Sequence, residues 1–159
     1  MTQKPMPGHG FIDEAEARRR YRDPSALLTI LPPVDASTGI VPYYVVVTTG
    51  PRPAFTVFEQ IEPGVVEAEV WFSPTAGDRL FATRAMVRQF PPKEELLVRN
   101  NSLAIKTMTV ENREDGTGTI QIRQRDSSIV EVADRRGMPV ASLYRDLPEF
   151  GQWQTLRVL

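Results

Sequence analysis

A chain of 159 residues, 41% hydrophobic and 25% charged, has the make-up of one ordinary globular domain and is long enough to bury a core without a disulfide or a metal. It has no cysteine, which removes disulfide frameworks, thiolate zinc sites and thiol nucleophiles together, and it has a single histidine, His9. A net charge of -1 supplies no long-range attraction to nucleic acid, so nucleic acid is not the expected partner.

Residues 1–11 are polar and carry Pro5, Pro7, Gly8 and Gly10, a composition that cannot pack a core and reads as an arm or leader. No signal-type apolar run occurs there. The longest apolar stretch, residues 43–47, is far too short to cross a bilayer. A soluble chain, cytoplasmic at synthesis and without a membrane partner, is therefore expected. Asp13 is placed to cap a helix through Arg22, with Glu14 and Glu16 in its first turn and Arg18, Arg19, Arg20 and Arg22 in the later ones, as the helix dipole favours. Pro24 ends it. Ile12, Ala15 and Tyr21 make no apolar stripe, and so short a helix is marginal alone in water. Either the rest of the chain or a neighbouring molecule is expected to hold it.

From Ala26 the pattern changes to short apolar or alternating runs punctuated by proline and glycine, which is how β-sandwiches and barrels read. Residues 26–31 end at Pro32-Pro33, and the β-branched run 43–49 ends at Gly50-Pro51. Phe55, Val57 and Ile61 alternate with polar positions, although Phe58 breaks the pattern. Pro63-Gly64 turns the chain into 65–72, where Val66, Ala68, Val70 and Phe72 share one face and Glu67, Glu69 and Trp71 the other, which predicts a hairpin. Residues 79–90 fit a strand through Leu80, Ala82 and Met86, and fit a helix nearly as well through Leu80, Phe81, Arg84 and Val87; the strand reading is taken. Pro91-Pro92 closes that segment, and 95–98 can open another strand.

Residues 103–110 read as a strand entering a tight primed turn at Asp115-Gly116, followed by a return strand over 119–125. A second hairpin is expected from 128–133, the turn 134–137 and 139–145, with 154–159 as a last strand. The whole predicts an all-β fold, a β-sandwich or barrel of about nine or ten short strands, with a charged helix on an N-terminal arm (1–25) and a single β-rich domain (26–159).

Groups suited to chemistry are few. His9 stands between glycines, where nothing orients its ring as a base or ligand. Glu67 and Glu69 are the only carboxylates that pattern alone places as a pair, and an outward, solvated strand face is the favoured explanation of them. Glu111, Glu114 and Asp115 do not have the alternate-position spacing of a calcium loop. Gly116-Thr117-Gly118 is a turn and not a dinucleotide fingerprint, because no helix follows it. No cofactor is expected.

Arginine supplies nearly all the positive charge, lysine occurring only at Lys4, Lys93 and Lys106. Arginine suits protein interfaces, though a GC-rich genome produces the same bias. Candidate interface residues are Arg18, Arg19, Arg20, Tyr21 and Arg22 in the arm, Trp71, and a possible basic patch of Arg123, Arg125, Arg135 and Arg136. Trp71, Tyr43, Tyr44 and Trp153 offer stacking surfaces to a carbohydrate or other small ligand as an alternative. The function these features favour is a non-enzymatic structural subunit that assembles with copies of itself or with a larger protein shell or tube, its arm lying on a neighbour. Small virion proteins of tailed bacteriophages (capsid decoration, head-tail joining and tail components) have this general character, which is an analogy of architecture and not a motif match.

Overall fold

The structure is a computed structural model, and residues 12–24, 26–62, 64–92 and 101–157 are described. Helix α1 spans Glu14–Tyr21. The Asp13 carboxylate accepts the Glu16 amide at 2.8 Å as the N-cap, and Arg22 is the C-cap. Both ends are those expected from the charge pattern.

Nine strands follow among the described residues: β1 (Leu27–Ile30), β2 (Tyr43–Thr48), β3 (Ala54–Glu62), β4 (Val65–Pro74), β5 (Arg79–Gln89), β6 (Lys106–Asn112), β7 (Gly118–Gln124), β8 (Val130–Arg135) and β9 (Tyr144–Asp146). The all-β class is thus observed, with all nine strands in one antiparallel sheet. Strands β1 to β8 pair in chain order, while β9 adds to β5. Among the described residues no ladder joins β1 to β8. Each strand from β1 to β8 pairs with its sequence neighbour, so the path is a continuous meander.

One face of β1 to β5 carries the core: Leu28, Val45, Val47, Phe55, Val57, Val70, Phe72, Leu80 and Ala82. The cover for that face comes from the C-terminal segment. Trp153 and Leu156 lie buried in a 3-10 turn, Trp153–Leu156, with Leu143, Leu147, Phe150 and Tyr21 packed around them. The strand expected over 154–159 is corrected on this point within the described residues. Residues three apart project to one side of a 3-10 turn but to opposite faces of a strand, so only the turn buries both Trp153 and Leu156.

Residues 79–90 form a strand as read, and the source of the ambiguity is a β-bulge. Trp71 faces Arg84 whereas Phe72 faces Ala82, leaving Thr83 as the extra residue. Leu80 and Ala82 therefore share a face with Ala85 and Val87, and the three-residue step across the bulge imitates helical spacing. Phe58 breaks the alternation of β3 because its ring is needed on the opposite face, stacked on Tyr44 at 4.5 Å and 9°.

Three other expectations are corrected. Leu103 belongs to a 3-10 turn, Asn101–Leu103, ahead of β6. At the β6–β7 hairpin the Gly116 amide donates to the Arg113 carbonyl at 3.1 Å and Gly116 alone has positive φ, +79°, which is a type I turn closed by a left-handed glycine and not a primed turn. Strand β8 pairs with β7, not with 139–145. That later segment instead sends β9 to β5, which is longer than β6 and leaves Arg79, Leu80 and Phe81 open for it. The strand anticipated over 95–98 lies outside the described residues, as does His9.

Candidate functional site

The arm's arginines are mostly engaged within the chain. Arg18 pairs with Glu14 at 2.8 Å and lies over the Phe150 ring at 4.5 Å. Arg19 and Arg20 converge on Glu16 at 2.7 and 2.6 Å, and these bonds, Arg19's first, hold the Glu16 carboxyl down to about 2. Tyr21 meets Phe150 and Trp153 edge to face, each at 5.6 Å, and burial pushes its phenol above the ordinary value. Helix α1 is thereby docked on the chain's own C-terminal segment. Arg22 lines an open groove with Tyr21, Pro51, Pro53 and Phe150.

Arg123, Arg125, Arg135 and Arg136 are not brought together. Arg123 faces Val130 at one end of the β7–β8 ladder, and Arg135 faces Gly118 at the other. Five residues separate them along the strand, roughly 17 Å. Alternation also puts them on opposite faces of the sheet. Arg125 lies past the end of β7, 3.6 Å from Asp126, and donates to the Leu103 carbonyl at 3.3 Å. Arg136 follows β8 in the connection toward β9.

Glu67 and Glu69 do not form a working pair of carboxylates. Ala68 faces Glu59 while Val66 faces Gln60, so Glu67 occupies a bulge and is exposed. Glu69 is buried and bonded to Arg88, which also donates to the Val66 carbonyl. A buried carboxylate held by a guanidinium is a structural ion pair. Asp115 accepts the Thr117 hydroxyl and amide, which lowers its pKa and accounts for it as a turn residue. Among the described residues no group of three or more His, Asp or Glu is arranged to hold a metal ion.

Trp71 is half-buried, with the Arg84 guanidinium over its ring at 4.9 Å, so part of its stacking surface is already used. Arg84 and Thr119 both flank Glu111 across the strands. Their Nε and Oγ1 atoms are buried without a hydrogen-bond partner among the described residues. Tyr43 is buried beneath Arg157, Tyr44 stacks on Phe58, and Trp153 is in the core.

The feature that sequence patterning missed is the placement of exposed apolar side chains. Leu27, Leu31 and Val34 lie in or just after β1, and Ile129, Val130 and Val132 lie in or just before β8. These are the two ends of the β1 to β8 path; β9, paired with β5, is a further terminal strand and carries no exposed large apolar residue. Alternation marked the segments as strands, but only the pairing order reveals which strands stand at an edge. No helix among the described residues is long and apolar enough to cross a membrane.

The class this architecture defines is an all-β protein built on one antiparallel meander, with its core closed by a helix and a C-terminal segment. Comparison with known proteins adds no relative: no family model matches the chain, and no curated protein and no solved structure matches it significantly.

Proposed function

We propose that this chain is a non-enzymatic structural subunit of a larger assembly, built from copies of itself or set against a larger protein shell or tube. The observation that carries the reading is the concentration of exposed large apolar residues at the two sheet edges, with Leu27 69%, Ile129 70% and Val132 60% exposed. Open edges with apolar side chains are the surfaces that other chains pair with. The particular assembly proposed is a tailed-phage virion, in a decoration, head-tail joining or tail role, and this finer step rests on architecture alone. In that setting Arg22, exposed at the C-cap of α1, is offered to a neighbouring subunit.

Light scattering of the full chain across a hundredfold range of concentration tests the reading. A defined oligomer, or a mass that rises with concentration, is expected. A monodisperse monomer throughout, with no binding to any particle shell or tube, overturns it.

A further inference from the structure

We infer that the two open edges of the sheet are complementary, and that β8 of one copy adds antiparallel to β1 of the next, joining copies head to tail. This rests on the assembly reading above and gives it a partner and a register. Every neighbouring pair along the β1 to β8 path is antiparallel. With eight strands in that path, β1 and β8 run in opposite directions. A copy placed alongside without reversal therefore presents its β1 antiparallel to β8.

The unpaired backbone groups can be assigned from the observed bonds. The Thr49 amide donates to the Ala26 carbonyl at 3.0 Å, so Ala26, Leu28 and Ile30 bond inward to β2, and Leu27 and Thr29 turn their amides and carbonyls outward. At the other edge the Arg113 amide donates to the Thr117 carbonyl at 2.9 Å and the Arg125 amide to the Ile105 carbonyl at 3.0 Å. Carried along the ladders, that phase makes Glu131, Ala133 and Arg135 bond inward to β7. Val130, Val132 and Asp134 then face outward. Leu27 and Val132 moreover carry their side chains on the same face of the sheet, as the cross-strand registers show.

Setting Leu27 opposite Val132 and Thr29 opposite Val130 satisfies both edges. The same register places Ile30 against Ile129 on the other face and Ala26 against Ala133. Apolar and β-branched side chains opposed across strands are favourable pairs. Glu131 opposite Leu28 is the one polar mismatch. Pairing β8 with itself is poorer: centred on Glu131 it opposes two carboxylates, centred on Val132 or Ala133 it sets Asp134 against Val130 or Val132, and in every case β1 stays open. A head-to-tail contact closes into a ring or continues as a filament, both suited to a tube or shell.

The absence of cysteine makes introduced thiols unique probes. Ala26→Cys and Ala133→Cys place two thiols in a non-hydrogen-bonded pair, about 4.5–5.5 Å apart at Cβ. Under mild oxidation the double variant is expected to give a ladder of dimers, trimers and higher species, and a mixture of the two single variants a heterodimer. Val132→Lys, at an exposed position, is expected to raise the concentration for half-assembly at least tenfold with an unchanged unfolding midpoint. Cross-linking of Ala133→Cys alone as efficient as the mixture overturns the head-to-tail register. An oligomer by light scattering that never cross-links through these positions also overturns it and leaves the assembly reading standing. A monomer at every concentration, with no cross-link, removes both.

Discussion

Arg157 and Glu59 show how much one pair decides. The Glu59 carboxylate is only 6% exposed and takes a forked bond from Arg157, with Nε and Nη2 at 2.8 and 2.7 Å. Arg157 also lies over the Tyr43 ring at 4.7 Å, and its bond to Glu59 raises its pKa. The pair fastens the end of the C-terminal cover to β3, 98 residues away in sequence. Removing one partner of a fully buried pair costs about 3–5 kcal/mol. Arg157 is more than a third solvated, so Arg157→Ala is expected to destabilise by about 1–3 kcal/mol. Urea unfolding checks this, and Glu59→Gln in the Arg157→Ala background should recover part of the loss, because it removes the stranded charge. Nothing in the local sequence around either residue signals the contact. By contrast Gly118 sits where an added Cβ would collide with the Glu111 carbonyl, and a glycine beside a turn is a position whose special role the sequence does suggest.

Among the elements, α1 was legible almost to the residue, because capping and dipole effects act within a few positions of chain. Its dependence on pH follows from Glu16. Folding lowers this carboxyl from 4.5 to about 2, so the contribution of its bonds to Arg19 and Arg20 is complete above pH 4.5 and is lost as the pH falls toward 2. The side-chain carboxyl carbon of Glu16 should titrate with a midpoint near 2, and the Arg19 and Arg20 Nε resonances should move with it. NMR follows this directly, and Glu16→Gln should abolish the transition. What the helix rests on was not legible: it docks through the Tyr21 ring on Phe150 and Trp153 and the Arg18 guanidinium over Phe150, and one aromatic residue and one arginine leave no apolar periodic trace. In the strands, alternation succeeded where pairing is regular, as in β2. It failed at Thr83, where a bulge shifts the face by one residue, and at Glu67, whose bulge separates it from Glu69.

For the whole molecule, stability depends on a cover whose buried anchors, Trp153 and Leu156, lie in a 3-10 turn and not in a strand. Leu156 is fully buried at 0% exposure against the sheet. Leu156→Ala is expected to cost about 2.5–5 kcal/mol, a loss typical of an enclosed leucine. Thermal unfolding should show the lower midpoint, while Val132→Ala at the exposed edge should leave the monomer's midpoint nearly unchanged. The two variants separate a residue that closes the core from one offered to a neighbour.

By itself the sequence determined the helix and its caps, the all-β class, most strand positions and the scarcity of catalytic groups, since each follows from composition, from spacing along a few residues or from turn chemistry. Only the tertiary structure decided that the strands form one meander, that the C-terminal segment folds as a 3-10 cover, that Arg123 and Arg135 diverge, and that β1 and β8 stand at its edges. Those outcomes depend on which distant segments compete for the same hydrogen bonds and the same apolar face, and that competition is settled by packing in three dimensions.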